Sequence, residues 1–129
     1  VIVLDASALV DVVLDQAPKR TVAAHLAQPI SAPSHQPAEV LSAVARRVRA
    51  GEASPEVAMA ALQDVVALDQ HLVIPTERHL RRALELQDRI RVVDGLYVAL
   101  AEELGVPLVT TDARLVGSDP PCDLIYAGV

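Results

Sequence analysis

Val1-Ile2-Val3-Leu4-Asp5 is the stretch on which the fold turns. Four apolar residues, three of them β-branched, run without alternation and meet a carboxylate at once. A short continuous apolar run of this kind is the pattern of a strand buried on both faces, as in the middle of a parallel sheet. The same pattern returns downstream. Pro29-Ile30-Ser31-Ala32, His71-Leu72-Val73-Ile74, Pro107-Leu108-Val109-Thr110 and Leu124-Ile125-Tyr126 read as four further short strands.

Helices fill the intervals. Ala6 to Leu14 reads as a short helix, and Pro18 opens a second through Gln28. Pro37 suits the first turn of a third, running to about Ala50 and ended by Gly51. Ser54-Pro55-Glu56 combines a cap, a proline and a first-turn acid, and opens a helix to about Leu68. Thr76 caps a helix to about Ile90, Asp94 opens one ended by Gly105, and Asp112 starts a helical turn. Short strands alternating with helices predict an α/β fold, a parallel sheet covered on both faces, in a single domain over residues 1–129. Ligands in such sheets bind beyond the carboxyl ends of the strands.

Composition narrows the function. Hydrophobic residues make up 52% of the 129 and charged residues 22%, which excludes a disordered chain. Phe and Trp are absent and Tyr occurs twice, so the core must be aliphatic. The net charge of −6 excludes a polycation that coats nucleic acid. No run approaches the roughly 20 apolar residues of a membrane helix, and no basic-then-apolar leader is present. Cys122 stands alone, so no intramolecular disulfide forms and a reducing cytoplasm is the expected compartment. His25, His35, His71 and His79 lack zinc-type spacing, and there is no GxGxxG, Walker loop, GxSxG or HExxH.

The remaining chemistry is carboxylate. Asp5 follows the first strand directly and Asp112 follows the fourth after Thr110 and Thr111, so both belong to one edge of the sheet. Either could simply cap the next helix. On a helix starting at Asp94, that residue shares a stripe with Tyr97, Ala101 and Leu104. It then heads an inward face, where a charge needs a partner or a metal. Glu39 lies off the Val40, Leu41, Val44, Val48 stripe of its helix, on the side of Ser42 and Arg46. His35, four residues before Glu39, would reach the same ligand only if that helix began early. Pro37 argues against this, so His35 reads as a loop histidine. No lysine neighbours any of these acids. One acidic cluster of this kind raises its own pKa values and is relieved by a hard divalent cation, with oxygen ligands selecting Mg²⁺ or Mn²⁺.

Four segments carry a family resemblance: Val1-Ile2-Val3-Leu4-Asp5-Ala6-Ser7-Ala8-Leu9, Pro37-Ala38-Glu39-Val40, Val93-Asp94-Gly95-Leu96-Tyr97-Val98-Ala99-Leu100-Ala101, and Pro107-Leu108-Val109-Thr110-Thr111-Asp112-Ala113-Arg114-Leu115. In this order and spacing the chain resembles the PIN-domain nucleases, specifically VapC-type toxins of toxin–antitoxin pairs. The resemblance implies a three-layer α/β/α fold with a five-stranded parallel sheet in order 3-2-1-4-5. It implies that Asp5, Glu39, Asp94 and Asp112 are the catalytic, metal-site acids, supported by Ser7 and by Thr110 of the T-x-D motif. It also implies Mg²⁺- or Mn²⁺-dependent cleavage of RNA, often tRNA or ribosomal RNA, a homodimer, and a cognate antitoxin that covers the acidic groove. Gly95 stands where alanine is common, a local cost of about 1 kcal/mol in helix stability.

Arginines flank these acids. Arg46, Arg47 and Arg49 end the Glu39 helix, and residues 76–92 carry five arginines against Glu77, Glu85 and Asp88. They read either as solvated faces or as a basic rim that guides RNA phosphates. With only Tyr97 and Tyr126, extensive base stacking is not expected, and specificity should come from RNA shape. Val57, Ala58, Ala61, Leu62, Val65, Val66 and Leu68 give the fourth helix a wide apolar face, for core burial or for an antitoxin helix. Two rivals remain: a phosphoacceptor receiver-like domain, which lacks its late lysine because Lys19 is the only one, and a non-catalytic PIN-like RNA or protein interaction domain.

Overall fold

The computed structural model describes residues 1–128. Its elements are β1 (Ile2–Leu4), α1 (Ala6–Val13), α2 (Lys19–Ala23), β2 (Ile30–Pro33), α3 (Gln36–Arg49), α4 (Pro55–Ala67) and β3 (His71–Val73), followed by α5 (Glu77–Glu85), α6 (Val92–Leu104), β4 (Leu108–Thr110), α7 (Ala113–Gly117) and β5 (Leu124–Tyr126). The strands form one sheet in the order β3-β2-β1-β4-β5, and every pairing is parallel.

β1 is central, as its unbroken apolar run requires. Ile2, Val3 and Leu4 are all buried, and so are Leu108, Val109 and Thr110 of the neighbouring β4. Val3 is in register with Leu108 and Leu4 with Val109. The edge strands β3 and β5 are partly exposed. Chain order runs outward from β1 in both directions, through β2 on one side and β4 on the other. A crevice therefore opens at the carboxyl ends of β1 and β4, the topological switch point of the sheet.

Two predicted helices are shorter than their patterns. α2 stops at Ala23, and the chain continues in tight turns in which His25 N–H donates to the Val22 carbonyl and Leu26 N–H to that of Ala23. α5 stops at Glu85 and passes through similar turns up to Ile90. Its start is as expected. The Thr76 hydroxyl accepts from His79 N–H, while His79 Nδ1 accepts from Thr76 N–H, a capping box with histidine in the usual Glu/Gln place.

Gly95 has a packing reason. A Cβ there would lie 3.1 Å from Cα and Cβ of Ala83, where α6 crosses α5. The missing side chain lets the two helices approach, so glycine serves the interface rather than merely weakening the helix. Among the described residues, no helix is long and apolar enough to cross a membrane.

Candidate active site

Asp5 is the deepest acid, with a residue exposure of 5%. It occupies the capping position of α1, yet its side chain makes no cap hydrogen bond. Oδ2 instead accepts from Ser7 Oγ at 2.6 Å and from Thr110 Oγ1 at 2.7 Å. Each hydroxyl has a single proton, already given to Asp5. The 3.2 Å approach between Ser7 Oγ and Thr110 Oγ1 is therefore a contact between acceptors. Both hydroxyls accept in turn from backbone: Thr111 N–H reaches Ser7 Oγ and Asp112 N–H reaches Thr110 Oγ1. The β4–α7 turn thus holds Asp5 through two relayed dipoles. Burial pushes the Asp5 carboxyl up to about 6; the two hydroxyl bonds oppose this, and the negative charges of Asp94 and Glu39 add to it.

Glu39 sits in the first turn of α3. Its Oε1 accepts from the Tyr97 hydroxyl at 2.7 Å and lies 3.3 Å from His35 Nε2. Burial raises the Glu39 carboxyl, but the bonds from His35 and Tyr97 and the charges of His35 and Arg91 hold it below the ordinary glutamate value. The same contact with Glu39 raises His35, and burial followed by Glu39 raises Tyr97 far above the ordinary phenol. His35 is therefore not a loose loop residue. α3 begins at Gln36 with Pro37 in its first turn, so His35 stands one turn before Glu39, and its Nε2 also meets the Val93 carbonyl at 3.1 Å. Pro37 restricts Gln36 without preventing helix there, and in the first turn its missing N–H is not required.

α6 begins at Val92, so Asp94 lies inside its first turn rather than capping it. Its side chain is 14% exposed and is gripped by Arg91, with Nε 3.0 Å from Oδ2 and Nη2 3.3 Å from Oδ1. Asp112 caps α7, its Oδ1 accepting from Arg114 N–H at 2.9 Å, with Arg114 Nε at 3.6 Å.

Asp5, Glu39, Asp94 and Asp112 all line one open cleft of about 340 Å³, together with Ser7, Asp11, Arg46, Arg47, Arg91 and Arg114. Each acid is turned onto a protein donor. Among the described residues, no three His, Cys, Asp or Glu side chains are gathered about one position as an ion would need. Sequence reasoning missed Asp11, which accepts from Thr111 Oγ1 at 2.6 Å and so steadies the turn behind Asp5 and Asp112. It also missed Tyr97 as the donor to Glu39. The signal available was the placement of Tyr97 on the Asp94 stripe.

A family model described as the PIN domain matches residues 2–117. The chain belongs to the PIN-domain family. Ribonuclease VapC3 of Mycobacterium tuberculosis is 38% identical over 96% of the chain and 91% of its own length. Ribonuclease VapC12 of the same organism is 37% identical over 91% of each. Among solved structures, PAE2754 from Pyrobaculum aerophilum superimposes with a TM-score of 0.71 at 23% identity, over 95% of this chain and 81% of that one. A VapBC-5 structure from Mycobacterium tuberculosis, a member of the VapBC family of toxin–antitoxin systems, gives 0.55 at 18% identity over 98% and 97%. At those identities the two structures speak for the fold. The observed sheet order and the layers about it are those that the resemblance to PIN domains implies.

Proposed function

We propose that this PIN domain is a divalent-cation-dependent ribonuclease, the toxin of a VapBC-type pair, that hydrolyses RNA phosphodiesters and is silenced by a cognate antitoxin. Asp5 carries the reading. A carboxylate buried at the end of the central strand, held up to about 6 and facing Glu39 and Asp94, is a site that a cation completes. The oxygen-only donor set suits Mg²⁺ or Mn²⁺. Asp5 and Asp94 would hold the ion directly, with Glu39 and Asp112 beside it. A divalent cation there supplies Lewis-acid activation of a phosphate oxygen and of water.

The chain's own groups do the positioning. Ser7 and Thr110 fix one oxygen of Asp5, while Tyr97 and His35 fix Glu39. Arg46 and Arg47 stand on the cleft wall where forked donors can meet RNA phosphates. The expected substrate is a structured RNA, tRNA or ribosomal RNA, in the cytoplasm. For the antitoxin, α4 offers exposed Val57, Met59 and Val66, while Ala58, Ala61 and Val65 face the core. Exposed Ile74, Leu80 and Leu84 accord with a homodimer.

The test is cleavage of total RNA by the purified chain in Mg²⁺ or Mn²⁺, in EDTA, and with Asp5→Asn. Cleavage confined to the wild type with metal is the expected result. Equal cleavage by the mutant, or in EDTA, would overturn the assignment.

A further inference from the structure

Arg91 engages Asp94, one of the two acids proposed above to hold the ion directly. Its guanidinium takes both oxygens of Asp94 in a fork, so each has one acceptor site engaged while the fork holds. Its charge also acts on Glu39 and Asp112. Yet it is held loosely. The Arg91 side chain is 68% exposed, and an ion pair with one partner this open is a weak one. Its backbone, by contrast, is fixed: the Arg91 carbonyl accepts from Gly95 N–H at 2.8 Å as α6 begins. The side chain alone is free to leave.

The molecule also provides somewhere for it to go. Arg91 borders both the acidic cleft and a second, adjoining cleft, which shares Asp94, Asp112 and Arg114 with the first and adds Arg89, Leu115 and Ser118. Arg89 is pinned there by the Ser118 and Asp119 carbonyls, which leaves Arg91 and Arg114, each on an exposed ion pair, as the exchangeable cations of that cleft.

We propose that Arg91 is a gate for the cation site: it stands in for the metal on Asp94, leaves when a divalent cation binds, and is thereby released to take a phosphate of the RNA in the adjoining cleft. The inference rests on the nuclease reading above and adds a coupling to it. Metal and RNA then assist each other's binding, because each favours the state in which Arg91 is off Asp94, and the effect is reciprocal. It also accounts for the orientation of Asp94, which is turned onto an internal cation.

The experiment is a Mn²⁺ titration followed by calorimetry or by electron paramagnetic resonance. It is run on wild type, Arg91→Gln, Arg91→Lys and Asp5→Asn, with and without a short phosphorothioate-substituted RNA that resists cleavage. Arg91→Gln should bind Mn²⁺ alone ~3- to 5-fold more tightly, the range set by loss of one exposed ion pair. It should bind the RNA less tightly in the presence of Mn²⁺, and the mutual enhancement should shrink. Arg91→Lys keeps the charge but loses the fork, and should fall between the two. Unchanged or weaker Mn²⁺ binding by Arg91→Gln overturns the gate. So does wild-type Mn²⁺ affinity in Arg91→Lys, which would reduce the effect to net charge, or undiminished RNA affinity in Arg91→Gln. Mn²⁺ binding that survives Asp5→Asn unaltered would instead strike at the cation site itself, so the two failures are distinguishable.

Discussion

The two halves of the cleft restrain their acids by different means. On the inner half, Asp5 and Glu39 are held by groups built into the fold: Ser7 and Thr110 on one, Tyr97 and His35 on the other. On the outer half, Asp94 and Asp112 are met by arginines whose side chains are 68% and 90% exposed. Buried hydroxyls donate from fixed positions and do not neutralise charge. Exposed arginines neutralise charge and are easily displaced. The inner half is thus organised before any ligand arrives, with Asp5 left electrostatically unsatisfied and Glu39 balanced by His35, while the outer half is satisfied by exposed, exchangeable partners.

The comparison breaks first at Asp5. Asp5→Asn should lower RNA cleavage by more than the ~100-fold that loss of a metal ligand's outer partner costs. In EDTA at neutral pH its melting temperature should equal or exceed that of wild type. The physical reason is linkage. The folded pKa of about 6 lies above the ordinary 3.8, so the native state binds the extra proton. The Asp5 contribution to stability is therefore full below pH 3.8 and is lost as pH rises through 6, by on the order of 3 kcal/mol. The mutant should lack this fall. Glu39 has the opposite sign: its contribution is present above the ordinary glutamate value and is lost as pH falls through its lowered pKa. Thermal melts from pH 4 to 8 on both proteins check this.

A smaller effect is expected at the other inner acid. Tyr97→Phe removes the hydroxyl on Glu39 and should reduce cleavage ~10- to 100-fold while costing about 1 kcal/mol of stability. Steady-state cleavage and denaturant melts measure the two. The frame beneath Asp94 is tested by Gly95→Ala. Helix propensity alone favours alanine by about 1 kcal/mol, but the 3.1 Å approach to Ala83 should reverse the sign and destabilise by ~1–3 kcal/mol. The smallest change belongs to the exposed outer half. Arg114→Gln leaves the Asp112 cap intact and should shift stability by less than about 0.5 kcal/mol in a urea melt.

Much of this cleft was legible in the chain. Unalternated apolar runs located β1 and β4, and the acids that follow them share one sheet edge because all the strands are parallel. Glu39 and Asp94 were placed by the family resemblance and by helix faces. What periodicity does not encode is which donor each carboxylate meets. Tyr97 reaches Glu39 across 58 positions and Thr110 reaches Asp5 across 105, distances at which only the tertiary fold sets a contact. His35 does stand in the turn before α3, as a loop histidine, but its ring meets Glu39 because Gln36, the residue before Pro37, is helical despite the bias that a proline places on its predecessor. No lysine neighbours these acids in the chain, yet Arg91 and Arg114 supply the positive charge on the outer half. An arginine three residues before an acid has the spacing of an ordinary surface pair, so its significance appears only once Asp94 is seen to face the cleft.

The most direct test of the account is the titration of the Asp5 carboxyl itself, followed by ¹³C NMR with Asn at position 5 as the assignment control. Without metal, the midpoint should lie near 6, well above an ordinary aspartate. Saturating Mg²⁺ should move it far below that value, because the ion favours the charged form. An ordinary midpoint in the free protein, or one that Mg²⁺ leaves in place, would contradict the claim that Asp5 is a buried carboxylate arranged for a cation.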